Sequence, residues 1–269
     1  MRLKAIVTTA LVLAAVALTS RVNAQVSYVH ATGWNHDMVL NDPSPYDLSV
    51  TGTMDGGFGQ VENWTWVEKG TYTNPNGDLE AYEGLVAGTH SSLTGNGTFA
   101  FQSFSGNNVV GLNGGESGTL TLVTPTAFES IALYGASGFG AKSADVLLTF
   151  DDTSTAMFSV ANGTGIGTDW FNNNADKALE VKGRASNKSE EGYTRLFYQQ
   201  NDAISINESF FTLDVADQSK ILTSVTITNT GGDRMAIFAL SGQRTVPEPA
   251  TVGLLGAGLL ALALRRRFA

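Results

Sequence analysis

Cysteine is absent from this 269-residue sequence. Thiol catalysis, iron–sulfur clusters and cysteine-ligated zinc are thereby excluded. Any fold must rest on a hydrophobic core without disulfides, which a chain of this length can supply. Charge is also sparse, at 15% of residues, and its balance is acidic, with a formal net charge of −9. Much of the basic side sits at the two ends. Removing Arg2, Lys4, Arg21 and Arg265 to Arg267 from 16 basic residues, and Glu248 from 25 acidic ones, leaves a body of 10 against 24, near −14. A body that acidic repels phosphate backbones, so nucleic acid is not an expected partner. Histidine is scarce as well. His30, His36 and His90 are too scattered for a metal motif, and no HExxH is present. Long stretches of helical periodicity are missing between Gln25 and Thr245.

What is present begins with the ends. Arg2 and Lys4 precede an apolar run from Ala5 to Leu18, and Val22-Asn23-Ala24 supplies a signal-peptidase site. The expectation is a signal peptide over 1–24, cleaved between Ala24 and Gln25, with an uncleaved N-terminal anchor as the alternative. At the other end, Pro247-Glu248-Pro249 is followed by an apolar stretch from Ala250 to Leu264 and then by Arg265-Arg266-Arg267. Two prolines favour an extended, accessible motif. As a helix the apolar stretch reaches about 22 Å, short of a hydrocarbon core of about 30 Å, and the arginines hold the cytoplasmic side. Motif, order and spacing over 246–269 resemble the PEP-CTERM sorting signal. The resemblance implies export, removal of the tail by an exosortase, and delivery to the cell surface or the exopolysaccharide matrix. Membrane contact is then confined to the unprocessed tail, and a plain C-terminal anchor is the alternative.

Between the ends, residues 25–245 read as one all-β domain. Alternating runs rich in Val, Ile, Thr and Phe predict strands over 118–123, 128–134, 144–150, 155–160, 194–198, 210–215, 222–228 and 234–240. Asp151-Asp152-Thr153 reads as the turn of a hairpin. Polar loops are expected at Asn172 to Asn174 and Ser186 to Glu191. Strands at this spacing without intervening helices predict an antiparallel β-sandwich of jelly-roll type. The segments Gly33 to Val39 (GWNHDMV), Gly106 to Val110 (GNNVV) with GTLTLVTP after it, Phe150 to Ser154 (FDDTS), Asp169-Trp170-Phe171 and Ala236 to Gly242 (AIFALSG) resemble, in that order, a recurring bacterial domain. That domain occurs in PEP-CTERM proteins and beside glycoside-active modules, which implies a carbohydrate-binding-like body. Asp152 departs from the resemblance, standing where the pattern has glycine.

Candidate chemistry is mostly non-catalytic. Gly135 to Lys142 (GASGFGAK) misses the phosphate-loop spacing by one position and reads as a turn between strands. The neighbouring pairs Asp151–Asp152 and Glu190–Glu191 would face opposite sides of a strand. A hydrolytic pair would have to come from distant residues such as Asp37 and Asp169. Trp64 and Trp66 share one face of a strand. Exposed, they form a platform for a sugar ring; buried, they belong to the core. Trp34 and Trp170 stand beside Asn35, Asp37 and Asp169, whose oxygens suit sugar hydroxyls or calcium, or else lock the sandwich ends together. The leading expectation is a non-enzymatic, exported surface or matrix protein that binds exopolysaccharide. The alternatives are a secreted glycan-active hydrolase and a purely structural, self-associating matrix protein.

Overall fold

A computed structural model describes residues 26–41, 49–59, 63–74, 76–172, 175–186 and 196–244. The expected signal peptide, its Ala24/Gln25 cleavage site and the tail with Pro247, Glu248 and Pro249 lie outside the described residues. So do the candidate carboxylates Glu190 and Glu191. Among the described residues the only helical element is a three-residue 3₁₀ turn, Gly165–Gly167. Everything else regular is β, and residues Gln25–Arg244 form one compact unit.

Two large antiparallel sheets carry the body. The outer sheet runs Thr155–Val160, Ala144–Phe150, Leu222–Asn229, Ser117–Thr126, Ala31–Thr32. The central sheet runs Ser27–Tyr28, Arg234–Arg244, Phe128–Gly138, Ser205–Thr212, Lys177–Glu180, with Val110–Asn113 also paired to Arg234–Arg244. The chain crosses repeatedly from one sheet to the other, as 117–126 leads into 128–138 and 128–138 into 144–150. This is the antiparallel sandwich of jelly-roll type that the strand pattern predicts.

The two sheets pack through Leu120, Val146, Leu148, Val225 and Ile227 on one side and Ile131, Leu133, Ile237 and Leu240 on the other. Burial alternates strictly along 144–150, because the far side of the outer sheet faces water. The central sheet is buried on both faces. Its second face presents Ala132, Tyr134, Ala136, Ile206, Phe238 and Ala239 to a third layer that contributes Met38, Val39, Trp66, Phe99 and Phe101. Consequently 128–138 and 234–244 are buried almost continuously along their length. Between Tyr134↔Ala239 and Gly135↔Ile237 the register slips, and Phe238 is the extra residue of a bulge. The bulge lets Ile237 and Leu240 reach one core while Phe238 and Ala239 enter the other.

Some expected strand limits shift. Residues 144–150 and 155–160 form as predicted, whereas the strand predicted over 210–215 occupies 205–212. Ser205, Asn207, Glu208 and Ser209 are polar yet buried, which hides the strand from a hydrophobic pattern. The Asp151–Asp152–Thr153 turn closes without glycine. The Asp152 carboxylate accepts from the Ser154 N–H at 2.9 Å and its hydroxyl at 2.5 Å, while Thr153 adopts φ +67°. The segments GWNHD and GNNVV meet side by side. Asn35 donates to and accepts from the Gly111 backbone at 3.1 and 2.8 Å, and Asn108 bonds the Asp37 carboxylate at 2.6 Å.

Candidate functional site: an arginine and aromatic cluster

The strand Trp64–Val67 (WTWV) lies antiparallel to Gly183–Ser186, with Ala185 opposite Thr65, and parallel to Val39–Leu40. Trp64 and Trp66 do share a face, and that face is turned inward. Trp66 is fully buried, edge-on to Trp170 at 4.9 Å and to Phe238 at 5.4 Å. Trp170 is buried as well. The exposed Trp64–Trp66 platform is thus corrected: the strand covers the second face of the central sheet, where two indoles fill the space above Phe238. Trp64, at the strand's end, is half-buried. Trp34 is half-buried too, packs against the sandwich core and donates its indole N–H to Ala31 O at 3.0 Å.

Trp64 belongs instead to a cluster built on Arg184. The Arg184 guanidinium lies 4.7 Å from the Trp64 ring, 4.8 Å from Phe171 and 5.4 Å from Trp170. Its Nη1 donates to Asp55 Oδ2 at 3.0 Å and its Nε to Gln199 Oε1 at 2.7 Å. Burial raises the Asp55 carboxyl above its ordinary range, opposed by Arg184. Burial likewise lowers Arg184, opposed by Asp55. Each charge thus offsets part of the other's desolvation cost in a partly buried place. Asp55 also feels Asp169 and Arg234.

Arg234 continues the cluster. It donates to Met54 O at 3.0 Å and its guanidinium lies 5.0 Å from the ring of Phe139. Phe139 is 65% exposed and adopts φ +59°, a left-handed conformation costing a non-glycine residue about 1–2 kcal/mol. The surrounding loop holds it there. Asp169 Oδ2 accepts from the Gly140 N–H at 2.5 Å, Ser137 Oγ donates to Gly140 O at 3.0 Å, and Lys142 Nζ donates to Phe139 O at 2.8 Å. Lys142 is itself buried and paired with Asp233 at 3.0 Å. The glycine-rich segment 135–142 is thus the end of a central strand and a pinned loop that displays an aromatic ring.

The expected Asp37 and Asp169 serve separate local structures. Asp169 spends both oxygens on main-chain N–H groups, those of Gly140 and Phe171 (2.8 Å). Asp37 joins the Asn108 and Thr51 neighbourhood. Among the described residues no three His, Asp or Glu side chains converge in a way that could hold a metal ion. Arg184, Asp55, Arg234 and Phe139 were not foreseen from the sequence. The arginines are isolated in β segments, and only the pairing of distant strands makes them neighbours. Phe171 had a signal, as part of Asp169-Trp170-Phe171. The assembled surface offers aromatic faces at Trp64, Phe171 and Phe139, with guanidinium and carboxylate groups between them. Such a surface stacks on C–H faces and exchanges hydrogen bonds with hydroxyls.

Residues 245–267 match the family model of the PEP-CTERM protein-sorting motif. The chain thus carries the sorting motif of an exported protein. No curated protein matches it. Among solved structures, it is similar at TM-score 0.21 and 10% identity to the CBM22-1-GH10 modules of endo-1,4-β-D-xylanase 10B from Clostridium thermocellum, complexed with xylohexaose. That similarity covers 81% of this chain and 29% of the xylanase chain, so the protein spans under a third of that relative's length. A carbohydrate-binding module specific for non-crystalline cellulose, CBM28, is similar at TM-score 0.22 and 9% identity over 58% of this chain and 84% of the module. A functional reading therefore rests on the chain's own residues.

Proposed function

We propose that the body is a non-catalytic polysaccharide-binding sandwich, exported and then released at the cell surface or into the matrix by exosortase cleavage at the Pro247-Glu248-Pro249 tail. Signal peptidase frees Gln25 beforehand. The observation that carries the binding reading is Phe139, an exposed ring held in a strained backbone conformation under Arg234, in the cluster that continues to the partly desolvated Arg184–Asp55 pair and the rings of Trp64 and Phe171. Strain of that kind persists only where surrounding structure over-determines it, and it recurs at ligand-binding sites. Stacking needs no charge, which suits a neutral polysaccharide facing an acidic protein. The carboxylates of the cluster are committed to Arg184 and to backbone N–H groups, which favours binding over hydrolysis.

The test is affinity electrophoresis of the protein through gels containing neutral polysaccharides, beside the Phe139→Ala and Phe171→Ala variants. Each ring should contribute about 1 kcal/mol, so the double variant should bind roughly tenfold or more weakly. Both rings are exposed, so melting temperature should hardly move. A folded double variant retarded like the parent protein would remove the site from this surface. No retardation of the parent in any gel would remove the binding reading.

A further inference from the structure

The two large sheets have four edges, and the described residues blunt three of them. At Lys177–Glu180 an ion pair of 2.6 Å lies along the strand, and Leu93 N–H bonds Ala178 O at 2.9 Å. The edge beyond Arg234–Arg244 is shared by Ser27–Tyr28, where Val26 O accepts from the Thr98 N–H at 3.0 Å, and Val110–Asn113, where the Asn35 amide occupies both main-chain groups of Gly111 and the Glu116 carboxylate accepts from the Asn113 N–H at 2.8 Å. At Ser117–Thr126 the chain from His30 to Gly33 closes the edge. Val123 N–H bonds His30 O at 2.9 Å, and Gly33 lies so close to Thr119 O that a Cβ would stand 2.1 Å from it. These are the devices by which proteins prevent edge-to-edge pairing.

The fourth edge, Thr155–Val160 (TAMFSV), has none of them. It contains no charge and no proline, and among the described residues only Ala144–Phe150 pairs with it. The hydrogen-bond parity can be followed from the hairpin. Phe150 N–H bonds Ser154 O at 3.0 Å, so in the register Leu148↔Ala156 and Val146↔Phe158 these even residues bond inward. The N–H and C=O groups of Thr155, Met157 and Ser159 then point away from the sheet. Met157 is 64% exposed, and Phe158 and Ala156 are only partly covered.

We propose that this edge joins a second copy of the same chain, antiparallel and two-fold symmetric about Met157. The sequence is self-complementary in that register. Met157 faces Met157 of the second copy, and Thr155 faces Ser159. All three facing pairs have outward main-chain groups and become doubly hydrogen-bonded pairs. On the opposite face Phe158 meets Ala156 of the second copy, which extends the apolar layer where Phe158 already touches Phe211 at 5.1 Å. An isologous contact of this kind closes as a dimer and turns two five-stranded outer sheets into one continuous sheet.

The absence of native cysteine makes the register directly measurable. In the dimer the two Met157 Cα atoms lie about 5.5 Å apart, within disulfide reach. The two Thr155 positions are offset by four residues, about 13 Å, beyond it. The full chain in mild detergent is oxidised as three variants and run on a non-reducing gel. Met157→Cys should form a covalent dimer, Thr155→Cys should remain monomeric, and Thr155→Cys with Ser159→Cys should recover the dimer. Absence of dimer in the Met157→Cys variant overturns the proposal. So does equal cross-linking of Thr155→Cys, which would reveal random collision or association through the tail.

Discussion

The central and outer sheets are built from similar residues and obey different rules. The outer sheet buries one face, so Ala144–Phe150 alternates inside and outside, and its water side carries Thr–Ser and Thr–Thr pairs such as Ser117–Thr228 at 2.7 Å and Thr119–Thr226 at 2.8 Å. The central sheet buries both faces, and there polar groups must find partners inside the protein. Glu208 does so completely. Ser92, Thr94 and Asn96 donate to it at 2.5, 2.6 and 2.7 Å, tying the turn between Gly88–Ser91 and Thr98–Phe101 onto the central strand. Among the described residues Trp66 Nε1 and both amide atoms of Asn207 have no hydrogen-bond partner, each buried against this sheet. Its environment tolerates little change, while the outer face tolerates much.

The sharpest way to break that contrast is to truncate one residue on each side of it. Trp66→Ala should cost about 3–5 kcal/mol and could leave the protein unfolded at ordinary temperature. Thr226→Ala, on the water side of the outer sheet, should stay within about 0.5 kcal/mol. Urea midpoints measure both, and equal losses would mean that the third layer is not packed on the central sheet. Removing the carboxylate in Glu208→Ala should cost about 1–3 kcal/mol, because the Ser92 hydroxyl is left buried without its acceptor. The same midpoint reads this, and hydrogen exchange should quicken first in residues 88–101. A loss spread evenly over the body would argue against a local tie.

The smallest effect belongs to the outer-sheet hairpin. Thr153 pays for a left-handed backbone that glycine adopts freely, so Thr153→Gly should raise stability by up to about 1 kcal/mol. A lowered melting temperature would mean that the Asp152–Ser154 bonds depend on the threonine.

How far each region could be read in advance follows from the same contrast. Ala144–Phe150 and Thr155–Val160 were legible residue for residue, because one-sided burial writes itself as alternation. Ser205–Thr212 was placed five residues late, since Ser205, Asn207 and Glu208 are polar residues that packing on the two faces of the central sheet buries. Trp64 and Trp66 were legible as a one-sided pair, but their spacing carries no information about which side faces water. For the arginine and aromatic cluster, Trp64, Trp170 and Asp169 were singled out, whereas Arg184 and Phe139 gave no local sign.

The sequence by itself determined the all-β class, the one-sided outer strands and the sorting motif at 245–267, because each is a local pattern of hydrophobicity, turn residues or prolines. Tertiary structure decided the rest. Whether a tryptophan is core or surface and which arginine meets which carboxylate depend on segments more than a hundred residues apart, as Asp55 and Arg184 are. Those outcomes come from how layers stack, and no stretch of chain short enough to show a pattern contains them.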